Sequence, residues 1–373
     1  MAMRVLAQEQ QATPLVLNID TVAGDPGLIE VPFLDADGLP CSSTIRLFDS
    51  NPELALGMQP ATEPAGLEWL AGLADFNLEP FEKLSEAIRS GSSDLSLASQ
   101  LMRAQLHLAR RWAGRPTVLG ASRLLKTSCG RWLLERMQRD AVRCVQAYNN
   151  AVSVDPDAGI RPLDMAAGEL PLWDIRSNER RTARRQDLDE ANLLPKALVI
   201  TAIMRLAGCD LFVHGTGGAR YDALMEGWIR QWLGLEVMPF MVVTADVRLP
   251  MPGLEAISRL GQSLVSRGRR AYHDPESIEE AAEGPGPKKR EALASIESAP
   301  RGSDQRREAF ASMHQTLATM RDDKRESSPA IAGRVRDARR TTARRDWDFF
   351  FHPEDTLDQL AEDVEEASLD SVR

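Results

Sequence analysis

Four cysteines and five histidines are all that 373 residues offer of the side chains that most often hold transition metals or carry thiol chemistry. Cys41, Cys129, Cys144 and Cys209 form no CxxC pair and no metal-ligand spacing, so zinc-ribbon and dithiol readings fall; reduced thiols and a cytoplasmic setting are the expectation. Cys209 is read as a packing residue, since cysteine is among the most buried residue types. The histidines, His107, His214, His273, His314 and His352, build no HExxH, and no GxSxG elbow occurs, which removes zinc and serine hydrolases. No metal ligand is assigned. No apolar run is long enough to span a bilayer, because Arg205 interrupts the best one, and Met1–Thr13 lacks a charged n-region followed by an apolar segment. Positive charge is scarce too. With 45 Lys+Arg against 55 Asp+Glu the net charge is -10, which argues against nucleic acid or an anionic membrane as a general partner.

What is present centres on Leu193–Pro250. Lys196–Leu206 has apolar spacing that suits a helix better than a strand, and Asp210–Val213 is a short apolar run ending at His214, the pattern of a buried strand. Gly215-Thr216-Gly217-Gly218 follows at once. Tyr221, Leu224, Met225, Trp228, Ile229 and Trp232 then recur at helical spacing up to Gly234, and Met238–Val247 reads as another strand. A glycine loop between strand and helix lets a ligand reach main-chain N–H groups at the positive end of the helix dipole. The expectation is an anion site made by Gly215, Gly217 and Gly218, with His214 as donor or general acid and Asp222 as its orienting partner. A tight turn that only allows close strand–helix packing is the alternative. The loop is neither a Walker A sequence nor a dinucleotide fingerprint, since no Gly-Lys-Ser/Thr follows and the third glycine is missing.

Elsewhere Pro14–Asp20 reads as a buried strand with Asn18 and Asp20 at its C-terminal end, where open parallel sheets bind ligands; a cap for the next turn is the alternative role for Asp20. Leu28–Phe33 and Ser43–Phe48 make a hairpin around Asp35-Ala36-Asp37-Gly38. Phe76–Arg89, Ser96–Trp112 and Ser128–Ala151 read as helices, the second opened by Ser96. Leu170–Ile175 is a short strand carrying Trp173, before a basic run whose Arg180, Arg181, Arg184 and Arg185 suit either an anion clamp or a solvated hairpin tip. Leu254–Tyr272 and Arg306–Arg325 read as helices of a projecting arm, Trp347–Phe351 as an aromatic strand, and the residues after Pro353 as an acidic helix.

The run Pro195-Lys196-Ala197-Leu198, Arg205-Leu206, Asp210-Leu211-Phe212-Val213-His214-Gly215, Gly217-Gly218 and Tyr221-Asp222 resembles the signature of a family of uncharacterised bacterial proteins. Ala147-Tyr148-Asn149-Asn150-Ala151 and Glu169-Leu170-Pro171-Leu172-Trp173 are similar to further landmarks of it. More distantly the segment resembles the bacillithiol-synthesis cysteine-adding ligases. That resemblance implies a nucleotidyltransferase-like Rossmann core with helical additions, ligase or transferase chemistry on a sugar-like acceptor, and a dimer contact through the arm. Related chains carry an upstream Gly-His-Gln-Pro-like turn that this sequence lacks. The counter-expectation is therefore a scaffold or assembly protein that has kept the fold without catalysis.

The combined expectation is an α/β protein, Rossmann-like with a mostly parallel sheet, a helical insertion and a C-terminal helical hairpin. Its parts are residues 1–66, an incomplete first part of the core; 67–152, the helical insertion; 153–252, the core with the glycine loop; 253–345, the arm; and 346–373, a closing strand and helix. The ligand is an anionic small molecule, a nucleotide among the candidates, held by Gly215, Gly217, Gly218, Tyr221, Lys196, Asn18 and Asp20.

Overall fold

The computed structural model describes residues 1–65, 79–176, 179–188, 193–253, 255–262, 273–274, 285–323 and 328–370. It opens with a helix that the sequence reading had not assigned, α1 (Ala2–Glu9), which buries Ala2, Val5 and Leu6 on one face. Strand β1 (Leu15–Asn18) follows, then β2 (Leu28–Leu34) and β3 (Pro40–Arg46), paired antiparallel. Their turn is built as its residues dictate. Asp35 Oδ1 accepts the N–H groups of Asp37 and Leu39 at 2.9 Å each, and Gly38 takes a φ of +74° that a side chain would resist.

Helix α2 spans Glu79–Arg89; residues 76–78 of the expected helix lie outside the described residues. Helix α3 (Leu97–Leu108) starts where Ser96 accepts the Ser99 N–H, and a short turn α4 (Arg110–Ala113) leads to β4 (Thr117–Gly120), which pairs parallel with β1. The long helix expected over Ser128–Ala151 is two helices, α5 (Ser128–Arg139) and α6 (Ala141–Val152), broken where Asp140 leaves helical geometry at φ -139°, ψ 48°.

Strand β5 (Glu169–Asp174) is the middle of an antiparallel trio with β6 (Arg181–Arg184) and β7 (Leu193–Pro195). Next come α7 (Ala197–Ile203), which continues as a π-turn over Met204–Gly208, β8 (Phe212–His214), α8 (Thr216–Leu233) and β9 (Phe240–Val242). Strands β8 and β9 are parallel, so β8–α8–β9 is one βαβ unit. The strand expected over Met238–Val247 is only three residues long. On one side the Met238 backbone is engaged with Arg205 instead of a ladder, and on the other Val243 donates to His214 O, beyond which its partner has turned into α8.

The C-terminal region holds α9 (Pro287–Ser298), α10 (Asp304–Asp323), α11 (Ser328–Ala343) and α12 (Glu354–Asp370). The first two form a hairpin, but only its second helix was expected: its first, Pro287–Ser298, is not the Leu254–Tyr272 segment read as the other arm helix. Helix α11 folds back on β3, with Arg334 on both Asp35 and Asp37, and α12 packs on α1. Helix is seen over residues 255–262, and the rest of Leu254–Tyr272 lies outside the described residues. Trp347–Phe351 is not a strand: Phe349–Phe351 make a 3-10 turn. Successive side chains of a strand point to opposite faces, whereas the Phe350 and Phe351 rings touch each other, with centroids 4.5 Å apart, as they pack on the clusters around Leu47 and Phe81.

The protein is thus mixed α/β, with its strands in four small sheets, two parallel pairs and two antiparallel groups, among the described residues. The main core lies between α5, α6, α7, α8 and β5. Trp228 is fully buried there, stacked on Trp232, and its indole N–H donates to Cys144 O at 3.2 Å. That core is what holds the first turn of α8 and its glycines in place. Among the described residues no helix is long and apolar enough to cross a membrane, and no group of three His, Cys, Asp or Glu stands together as a metal site.

Candidate functional site

Helix α8 begins immediately after β8, with Gly215 as N-cap and no side-chain cap. In the first turn of any helix several N–H groups lack an internal acceptor. Here Gly218 and Ala219 donate back to Gly215 O, at 3.1 and 3.3 Å, so Gly218 offers no free amide, contrary to expectation. Thr216 and Gly217 are the ones left without a partner among the described residues, and both are exposed along with Gly215.

The glycines differ in purpose. A Cβ on Gly218 would stand 2.0 Å from His214 Nδ1 and 2.7 Å from Cε1, so glycine is demanded there by the imidazole beneath it. A Cβ on Gly217 would meet nothing within 4 Å, and its φ is not positive. Neither packing nor conformation explains glycine at 217.

His214 and Asp222 are brought together as expected: Nε2 lies 2.9 Å from Oδ2, at ion-pair distance and out of line for a straight hydrogen bond. The ring is wedged edge-on against Phe212 and Phe240, with centroids 5.1 and 5.5 Å away. The same Asp222 oxygen sits 3.1 Å from Arg205 Nη1, and both side chains are buried, at 0% and 2% exposure. Burial raises the Asp222 carboxyl above its ordinary range, while His214 and Arg205 pull it back. Arg205 also donates to Met238 O and Glu226 at 2.6 and 2.5 Å, and its guanidinium lies 4.8 Å from the centre of the Phe240 ring. Sequence reasoning saw Arg205 only as a break in an apolar run and as part of the run that carries the family resemblance. Its helical spacing from the apolar residues of α7, on a face that must be buried, was the signal available.

The other expected ligands go elsewhere. Asn18 donates to Ala98 O at 3.1 Å. Asp20 accepts the Ser122 N–H and hydroxyl at 2.7 and 2.5 Å, so it does cap a turn, one beginning at Ala121 a hundred residues away and not the adjacent one. Tyr221 packs on the main core. Lys196 precedes α7, while Arg205, which holds Asp222, stands in the π-turn that follows it, roughly 13 Å further along the helix axis. Lys196 stands over Trp173 instead, with Arg180, Thr182 and Arg161. Of the basic run, Arg176 and Arg181 hold Asp174, which is fully buried. Cys209, whose thiol burial pushes up to about 11, donates to Met204 O and is a packing residue.

Asp174 gives the acid response a specific origin. Burial pushes its carboxyl up, but hydrogen bonds from Arg176 and Arg181 outweigh this and hold it below the ordinary 3.8. The group titrates lower folded than unfolded, so its contribution is complete above that ordinary value and is lost as pH falls through the folded value. Asp174→Asn is expected to cost about 1.5 kcal/mol near neutral pH. In denaturant titrations the gap from wild type should close below the ordinary aspartate range, and a gap constant with pH would refute this origin.

A cleft of about 350 Å³, lined by Trp132, Arg136, Arg139, Arg143, Arg230 and Leu235 among others, lies at the far end of α8. Arginines there complement the negative ends of α5 and α8, and an 18-residue helix puts them roughly 27 Å from the glycine loop. The cleft is not part of the loop site. Compared with models of known protein families and with curated proteins, the chain matches none.

Proposed function

We propose that this protein binds an anionic small molecule, a nucleotide or phosphosugar being the leading class, on the exposed first turn of α8. The observation that carries the reading is Gly217, a glycine with open space where its side chain would be, beside unpartnered amides of Thr216 and Gly217 at the positive end of a long helix. His214 lies directly beneath this turn, with its Nε2 at ion-pair distance from Asp222. In the fuller form of the proposal the β8–α8–β9 unit belongs to a Rossmann-like core, and His214 with Asp222 serves ligase or transferase chemistry like that of the bacillithiol cysteine-adding enzymes. A cytoplasmic protein with its helical arm used for self-association completes that reading.

A second reading, a scaffold without catalysis, is favoured by one specific feature. Asp222 is shared with Arg205, and the remaining nitrogen of His214 lies against Gly218, so the pair is engaged in holding α7, α8 and β9 together.

Thermal shift against ATP, inorganic phosphate and phosphosugars separates the two. A ligand at one hundred times its Kd stabilises by about 2.7 kcal/mol, a shift of several degrees. Gly217→Val should abolish that shift while leaving the unliganded Tm near wild type, because a Cβ there meets nothing within 4 Å and a branched side chain would stand beside the first-turn amides. No shift with any of the anions would leave the scaffold reading.

A further inference from the structure

The three-stranded sheet carries a cluster that the loop site does not use. Trp173 on the central strand faces Thr182 of β6 and Leu194 of β7 across the ladder. Lys196, two residues on, places Nζ 4.2 Å from the centre of the Trp173 ring and donates to Thr182 Oγ1 at 2.9 Å. The Arg180 guanidinium lies 4.2 Å from the same ring and donates to Thr21 O. Arg161 reaches Thr182 Oγ1 at 3.4 Å while holding Glu169 at 2.8 and 3.0 Å. Three cations therefore converge where Glu169 is already matched by Arg161 and Glu53 lies near Arg180. Lys196 has no carboxylate at ion-pair distance among the described residues.

An amine in that position is pressed toward its neutral form. Burial brings the Lys196 ammonium down to about 8, with Arg161 and Arg180 adding to the effect and Glu169 opposing it. At pH 7 about a tenth of such an amine is neutral, against on the order of one in a few thousand for an ordinary lysine. A neutral amine beside fixed cations is the arrangement that activates lysine toward carbonyl groups.

We propose that Lys196 is a nucleophilic amine that forms an imine with a small anionic carbonyl compound, a 2-oxo acid or a phosphorylated aldehyde, whose negative group is drawn by Arg161 and Arg180. The Nζ lone pair adds to the carbonyl carbon. The two protons of the neutral amine leave with the carbonyl oxygen as water, and a C=N bond remains, so no oxidant or reductant is needed. Thr182 Oγ1, within hydrogen-bond reach of Nζ, relays the first proton. This site is independent of the glycine loop.

The sequence has only six lysines, Lys83, Lys126, Lys196, Lys288, Lys289 and Lys324, which makes the test direct. The full-length protein is treated with pyridoxal 5′-phosphate, an anionic aldehyde, trapped with borohydride and mapped by peptide mass. At pH 7.5 Lys196 is expected to label at least tenfold faster than any other lysine, with a half-maximal rate near pH 8, and Lys196→Arg removes that label. Pyridoxal, which lacks the phosphate, should label Lys196 several-fold more slowly. Map and pH profile are read on wild type, so a poorly folding variant does not blunt the result. Uniform labelling, or a Lys196 midpoint in the ordinary lysine range, overturns the proposal and leaves a cation–π clamp. Equal rates with the two aldehydes overturn the role of the arginines.

Discussion

Arg205→Met is expected to lower stability by about 3–5 kcal/mol, the cost of removing one partner from a buried ion pair. The side chain is 2% exposed and makes three separate attachments: Nη1 to Asp222, Nη2 to Glu226 and Nε to Met238 O. Methionine keeps most of the packing and none of the bonds. Asp222, with no exposure, then keeps a charge opposed only by His214, and its carboxyl must rise further or open the structure to water. Arg205→Lys would not rescue it, since one ammonium cannot reach three acceptors in the plane that a guanidinium fork spans. Removing both charges should. In the Arg205→Met, Asp222→Leu double variant most of the loss is expected to return, because two buried charges are replaced together by apolar groups. Denaturant unfolding of the two single variants and the double variant measures this coupling. A loss under about 1 kcal/mol for Arg205→Met, or a double variant no more stable than the single, would show the network to be incidental.

The adjacent glycines of the loop should respond in opposite directions. For Gly218→Ala a loss of about 2–3 kcal/mol is expected, the scale of overpacking a close contact. The atoms in the way belong to the His214 ring, and that ring is pinned by Asp222 and between Phe212 and Phe240, so it cannot swing aside as a surface side chain would. Gly217→Ala should be neutral or stabilising by up to about 1 kcal/mol, because alanine is the better helix former and its Cβ points into open space. Parallel unfolding curves decide it. Equal losses at both positions would mean that Gly217 also serves packing and that no ligand need stand above it.

How far these features were legible beforehand depended on how far away their causes lie along the chain. Ser96 as a helix start, the Asp35–Gly38 turn, a short strand before the glycine loop, which is Phe212–His214 and half-buried where Asp210–Val213 was expected buried, and the helix ending at Gly234 are decided within a few residues by capping, turn conformation and apolar spacing. The pairing of His214 with Asp222 was within reach for the same reason, since a strand end and the second turn of the next helix are neighbours. The break at Asp140 and the turn at Phe349–Phe351 were not legible, because both sequences keep an apolar pattern through a point where packing on other elements sets the geometry.

By itself the sequence determined many of the local elements of this protein, though not α1, the break at Asp140 or the turn at Phe349–Phe351, and it determined the glycine loop at a strand-to-helix junction, since backbone preference and side-chain periodicity are local quantities. Tertiary structure alone decided partners. It buried Arg205 against Asp222, sent Asp20 to a turn beginning at Ala121, and stood Lys196 over Trp173. It also divided the strands among four small sheets. Strands of three or four residues carry too little pattern to name the strand they pair with. A charged side chain likewise finds its counterpart by what remains unsatisfied once the core has closed, and that cannot be read along the chain.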